Sequence, residues 1–219
     1  MANSILTSIQ KQVLYLLSKE SNFTNNFYLT GGTALSEYYL HHRLSEDLDF
    51  FSQKEVDSLW LTTLTNKLKQ KLKADKVDLQ QSFNRNLVFF TFNQNLLKTE
   101  FTYFPFPHIE KSNIFNDIAV DTLLDIAVNK FFTIYQKPSA RHFIDLYLII
   151  KNSTVAWGQL ANLARNKFDT FIDPVQLGSQ LVTASEIQDL PKMLVDLKEH
   201  EWRDYFIDKA RALKSELEK

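Results

Sequence analysis

The sequence predicts an α+β fold, a mixed β-sheet core followed by a C-terminal helical region, and three observations carry that expectation. Between residues 77 and 104 apolar and polar side chains alternate with a period of two, as half-buried strands require. From residue 122 onward apolar residues recur at three- and four-residue spacing, which marks amphipathic helices. Pro105 and Pro107 punctuate the change of period. The expected division is a core at 1–120 and a helical region at 121–219.

Taken in order, residues 4–18 place Ile5, Ile9, Val13, Leu14 and Leu17 on one helical face. The polar cluster at 21–26 ends that helix, and Phe27-Tyr28-Leu29 reads as a strand running into Gly31 and Gly32. A helix-like pattern follows at 33–40. Residues 55–74 form another helix, with Val56, Leu59, Trp60, Leu64 and Leu68 on one side. Its end carries Lys67, Lys69, Lys71, Lys73 and Lys76, read as a solvated helix terminus complementing the dipole in preference to an RNA-binding patch. Three strands then follow, at 77–79, 87–92 and 96–104, joined by Asn-containing turns that imply antiparallel neighbours. With the earlier strands they give a sheet of about five. Helices are expected at 122–135 and 140–151, with four or so further amphipathic segments to the end of the chain.

The chemistry concentrates in residues 30–51, TGGTALSEYYLHHRLSEDLDFF. A strand, a glycine pair and a helix start can cradle a phosphate. The first helical N–H groups are unpaired, carry the positive end of the dipole, and are approachable where Cβ atoms are missing. Asp47 and Asp49 flank the apolar Leu48, so on a strand both carboxylates share one face while Leu48 and Phe50 face the core. Like charges side by side repel, and a divalent cation between them is the usual compensation.

The ordered set GGTAL at 31–35, Arg43, and SEDLDF at 45–50 resembles the signature of the AbiEii/AbiGii-type nucleotidyltransferases. That family is a branch of the DNA polymerase β-like superfamily and includes bacterial abortive-infection toxins. There are two departures. The superfamily typically has Gly-Ser where this chain has Gly32-Thr33, and its glycine motif lies slightly closer to the first aspartate. Threonine keeps the hydroxyl, and a longer helix or loop absorbs the extra residues.

The resemblance implies a polymerase β-like nucleotidyltransferase core and Mg²⁺ held by Asp47, Asp49 and a third carboxylate from a later strand. Glu100, followed by Phe101, is the best match, and Glu110 is the fallback. It further implies that Gly31, Gly32, Thr33, Arg43, Ser45, Lys130 and Arg141 bind the nucleotide. Lys130 and the Arg-x-x-x-Asp-Leu pattern of Arg141, Asp145 and Leu146 match later family features. Lys130 would then touch the triphosphate, while Asp145 would position Lys130 or Arg141 or assist the chemistry. The implied reaction moves NMP from a nucleoside triphosphate to an acceptor hydroxyl on a tRNA end, a protein or a small molecule. A toxin role, with a cognate antitoxin as candidate partner, belongs to the same implication.

Plainer readings of single residues stand beside these. Glu100 is also readable as a solvent-facing strand charge, Arg141 and Asp145 as an intrahelical ion pair, and Asp121-Thr122 as a helix N-cap. His41 and His42 invite a zinc reading, but neighbours on a helix point different ways and fit its C-terminal end better. At the level of function, the rivals are a catalytically inactive interaction module and a metal-dependent phosphoesterase using the same acids.

Composition bounds the rest. With 44% hydrophobic and 23% charged residues the chain is globular and not disordered. A net charge of -1 argues against a surface that is basic throughout, so nucleic-acid contact would need a local patch. The absence of cysteine rules out disulfides and thiolate metal sites and fits a cytoplasmic location. Lys11 interrupts the opening apolar residues, no small-residue cleavage site follows, and no run reaches membrane-spanning length. A soluble protein is expected.

Overall fold

The computed structural model describes residues 4–217, which form two compact units. The first contains the described residues up to 39, with 45–107 and 111–122; the second contains 40–44, 108–110 and the chain from 123 on.

The first unit is built on one mixed seven-stranded sheet in the order β3-β4-β5-β2-β1-β7-β6. Its strands are β1 (Tyr28–Thr30), β2 (Leu48–Ser52), β3 (Lys76–Ser82), β4 (Arg85–Phe92), β5 (Asn95–Tyr103), β6 (Asn113–Phe115) and β7 (Ile118–Val120). The expected antiparallel run of three is β3-β4-β5. β2 runs parallel to β5 and antiparallel to β1, while β7 joins β1 in parallel. β6 and β7 raise the strand number above the expected five and correct the reading of the chain beyond Pro107 as helical throughout. They are three residues each, too short to display a period, and a two-residue turn with positive φ at Asn116 and Asp117 joins them.

Register gives the sheet two different faces. Opposite Leu29, Phe50 and Phe101 lie in line across β1, β2 and β5, with Val88 and Phe90 of β4 on the same apolar side. Helices α1 (Ser8–Leu17), α2 (Ser21–Asn26) and α4 (Ser58–Leu72) contribute to the core of this unit. Phe23 meets Phe50 edge-on at 5.0 Å, Phe27 stacks on Trp60 at 5.3 Å, and Phe101 packs against Phe50 at 5.2 Å. The polar cluster at 21–26 is itself a one-turn helix carrying Phe23 into this core, not merely a terminator. The alternate residues Thr30, Asp49, Glu100 and Leu87 share the opposite face.

α3 (Gly31–Leu35) begins directly at the end of β1 and continues as a π-helical turn, Ser36–Leu40. His41, with φ of 49°, follows that turn, in keeping with a place at a helix C-terminal end. α4 starts on Asp57, whose carboxylate accepts from the Leu59 and Trp60 amides, and it stops at Lys73 in the left-handed conformation. Lys67 pairs with Glu20.

The second unit is helical: α5 (Leu123–Gln136), α6 (Ala140–Asn152), α7 (Trp157–Phe168), α8 (Pro174–Val182) and α9 (Glu199–Leu217). Phe143, Trp202 and Phe206 are buried together, with Phe143 and Phe206 ring centres 4.8 Å apart. Residues 42–44 join this unit through an isolated antiparallel bridge of Arg43 to Met193, flanked by Leu44 N–H to Lys192 O and Leu194 N–H to His42 O. Among the described residues, no helix is long and apolar enough to cross a membrane.

Candidate active site

The acidic face of the first unit is assembled by strand register. Asp49 of β2 lies opposite Glu100 of β5 on one side and Thr30 of β1 on the other. Paired residues present their side chains to the same face, so the two carboxylates belong to one surface. Asp47 lies one residue before β2 and not within it. Its carboxylate nonetheless meets the same face, because Lys98 of β5 reaches it at 2.6 Å.

The loop that carries Asp47 is held by two buried side chains. The Gln10 amide, at the start of α1, donates to the carbonyls of Ser45 and Glu46 at 3.1 and 3.0 Å. The Thr33 hydroxyl, fully buried, donates to the Asp47 carbonyl and lies 2.8 Å from the Ser45 hydroxyl. Thr33 therefore ties the glycine turn to the aspartate loop through its hydroxyl. Ser45 is half-buried and bound in the same tie.

Gly31 is the residue this arrangement cannot replace. Its φ is +74°, and a Cβ at that position would lie 2.6 Å from Oδ2 of Asp49. The turn out of β1 thus needs a left-handed residue, and the aspartate needs the space that a side chain would fill.

Glu100 is almost fully buried, which removes the solvent-facing strand charge as its explanation. Arg85 of β4 grips it with both forks, Nε to Oε1 at 2.7 Å and Nη2 to Oε2 at 2.6 Å, and Thr102 donates to Oε1 at 2.6 Å. Burial is the largest influence on this carboxyl and pushes it up. The bonds from Arg85 and Thr102, with the charges of Arg85 and Lys98, outweigh it and hold Glu100 below the usual range. The bond to Glu100 raises Arg85 in turn, and the charge of Asp49 also acts on it. Arg85, Lys98, Thr102 and Gln10 were not singled out in the sequence. The alternation that puts Lys98, Glu100 and Thr102 on one face was the available signal.

The second unit holds a separate buried charge cluster centred on Asp145 of α6, which has no solvent exposure. Arg43 donates from Nε to Oδ1 at 2.6 Å and from Nη2 to Oδ2 at 2.8 Å. His42 Nε2 lies 2.8 Å from Oδ1, and Lys130 of α5 lies 2.8 Å from Oδ2. Burial alone would raise this carboxyl; Lys130, Arg43 and His42 together hold it well below the ordinary value. Arg141, one turn before Asp145, is exposed, and the partners of Asp145 come from α5 and residues 42–43, which sets aside the plainer reading of an intrahelical Arg141–Asp145 pair. Lys130 and Asp145 thus form a buried ion pair between α5 and α6. Arg43 is buried against it, with Nη1 on the Leu44 carbonyl at 2.9 Å.

A second buried carboxylate, Asp125 at the start of α5, binds Lys167 at 2.7 Å and the amides of Ile109 and Glu110 at 2.9 and 3.0 Å. It anchors the segment that includes Glu110, itself exposed. Asp121, read in the sequence as an N-cap, lies in the first unit, where it accepts from Thr30 Oγ1 at 2.6 Å and its N–H donates to Leu29 O.

This mixed seven-stranded sheet, with a glycine turn set against Asp49, has the fold of nucleotidyltransferases. The chain belongs to the AbiEii nucleotidyltransferase toxin family of type IV toxin–antitoxin systems, whose family model matches residues 13–215. An uncharacterised protein of Aquifex aeolicus is 30% identical over 148 residues, covering 66% of this chain and 67% of that protein. Among solved structures, the fold is shared with MenT4, a nucleotidyltransferase toxin of Mycobacterium tuberculosis, at a TM-score of 0.60 and 15% identity, over 93% of this chain and 80% of that one. A candidate nucleotidyltransferase of Helicobacter pylori superposes with a TM-score of 0.57 at 19% identity, over 97% and 98% of the two chains.

Two outcomes follow. Gly31→Ala forces a side chain into the left-handed region and against Asp49, and it is expected to cost about 1–3 kcal/mol in urea unfolding; a variant as stable as the parent would contradict the cradle. The second concerns His142, whose imidazole is pushed down from 6.5 to about 3, first by burial and then by the charges of Lys130 and Arg141. Below 6.5 the unfolded chain takes a proton that the folded chain refuses, so this group lowers stability as pH falls from 6.5 toward 3. Asp145 and Asp125 act lower: their stabilisation is present above the unfolded carboxyl value and is lost as pH falls through their depressed folded values. The stability of His142→Asn should therefore decline less than that of the parent between pH 6.5 and about 4, as read by urea unfolding; parallel profiles would contradict it.

Proposed function

We propose that this nucleotidyltransferase moves NMP from a nucleoside triphosphate to an acceptor hydroxyl, with Mg²⁺ held by Asp47, Asp49 and Glu100. The observation that carries the reading is the in-line placement of Asp49 and Glu100 on one sheet face, with Gly31 directly against Asp49. The donor set fits the ion. Carboxylate oxygens are the hard ligands that Mg²⁺ prefers, and the missing Cβ of Gly31 leaves the Asp49 oxygen approachable. When bound, the ion offsets phosphate charge and lowers the pKa of the acceptor hydroxyl.

The chain's own residues do the remainder. The backbone amides of Gly31 and Gly32 receive phosphate oxygens at the helix start. Thr33 and Ser45 act one step back, fixing the loop that presents Asp47. Asp49 takes the acceptor's proton as the acceptor oxygen bonds to the α-phosphorus; the bond to the β-phosphate oxygen breaks, and pyrophosphate leaves. In the second unit, the resemblance assigns Lys130 and Arg141 to the triphosphate and Asp145 to positioning, and the ion pair between Asp145 and Lys130 supports the positioning. Arg43, buried on Asp145, acts through that carboxylate and not on the nucleotide directly. The acceptor is a tRNA end, a protein or a small molecule, and the family's toxin–antitoxin setting makes an antitoxin the candidate protein partner. A cytoplasmic site of action suits both nucleotide and acceptor.

The test is incubation with each labelled nucleoside triphosphate, Mg²⁺, and separate tRNA, protein and small-molecule acceptor pools. Label should pass to one pool with pyrophosphate as co-product, and Asp47→Asn should reduce transfer by roughly a hundredfold or more. Transfer indifferent to that substitution overturns the assignment.

A further inference from the structure

Two carboxylates of the acidic face, Asp47 and Glu100, are matched by cations of the chain itself. Lys98 Nζ lies 2.6 Å from Oδ2 of Asp47, and Arg85 spans both oxygens of Glu100.

The two sides of these pairs differ in freedom. The Glu100 side chain is 7% exposed and held by Thr102, whereas the Arg85 side chain is 60% exposed. Lys98 is a long flexible chain on β5, while Asp47 stands on a loop pinned by Gln10 and Thr33. Glu100 is therefore held more firmly than the guanidinium that covers it, while the side chains of Lys98 and Asp47 are both partly exposed, at 28% and 35%. A bidentate guanidinium also covers the lone pairs that a chelating cation would use on Glu100.

We propose that Arg85 and Lys98 are resident counter-cations of this site: they neutralise Glu100 and Asp47 when no metal is bound, and they yield those oxygens to the incoming divalent ion. The inference rests on the metal site proposed above and adds two residues to it. Its consequence is that the face needs no metal to fold, because its repulsion is already compensated. Metal affinity is then set against the loss of two partly exposed ion pairs. The partly exposed Lys98–Asp47 pair is the weaker of the two, and the bidentate Arg85–Glu100 pair is the stronger one that the ion displaces.

Two measurements on the full chain without nucleotide test the exchange. In a Mg²⁺ titration followed by ¹⁵N NMR, the Nε–H resonance of Arg85, assigned by its loss in Arg85→Lys, should move toward that of a solvated guanidinium with the midpoint of metal binding. In parallel, Mn²⁺ affinity by electron paramagnetic resonance should tighten up to about fivefold in Arg85→Ala and in Lys98→Ala. An Arg85 resonance that stays fixed through saturating Mg²⁺, or Mn²⁺ affinity that is unchanged or weaker in both variants, overturns the proposal. Asp49→Asn separates this from failure of the underlying site: if that variant binds Mn²⁺ as the parent does, the metal site itself is removed.

Discussion

The placement of β2 between an antiparallel and a parallel neighbour is the constraint on which the first unit depends. Hydrogen bonding to β1 sets Asp49 opposite Thr30, at the mouth of the glycine turn, and hydrogen bonding to β5 sets it opposite Glu100. A slip of one residue in either ladder would turn Asp49 into the phenylalanine core and Phe50 out of it. The packing of Phe50 against Phe23 and Phe101 therefore fixes the register, and the register assembles the acids. Hydrophobic burial on one face of the sheet determines where charge stands on the other.

The charged face is handled differently from the charged cluster of the helical unit. On the sheet, acids meet cations that remain partly in water. Around Asp145, the carboxylate is removed from water altogether and receives Arg43, His42 and Lys130 at once. Such a site is costly to assemble and far more costly to leave half assembled, so each partner is fixed by the others. That rigidity suits a positioning role. It also ties residues 42–44 to the helical unit, where the bridge to residues 192–194 completes their backbone pairing.

Much of this was legible in the sequence, and the exceptions have physical causes. The period of two disclosed β4 and β5, and the glycine pair with Asp-x-Asp disclosed the turn that abuts Asp49, because both signals lie within a few residues of chain. β6 and β7 escaped because three-residue strands have no period; Asn116-Asp117, whose positive φ angles make a tight hairpin, was the available sign. Arg85 and Lys98 escaped because a strand residue's partner lies across the sheet and not along the chain. His42 was read with His41 as a helix terminus. His41 does follow the helix, but His42 turns inward to Asp145, a contact 103 residues distant that no local pattern encodes. For the same reason, the neighbour one turn away on α6, Arg141, was an available but incorrect guess for the partner of Asp145.

In the proposed function, the glycine turn and the acidic face bind one metal–nucleotide complex. Its most direct measurement is paramagnetic broadening of backbone amides by Mn²⁺ together with a non-hydrolysable nucleoside triphosphate. The signals of Gly31, Gly32, Asp47, Asp49 and Glu100 should broaden first. Broadening that spares these five while erasing others would contradict it.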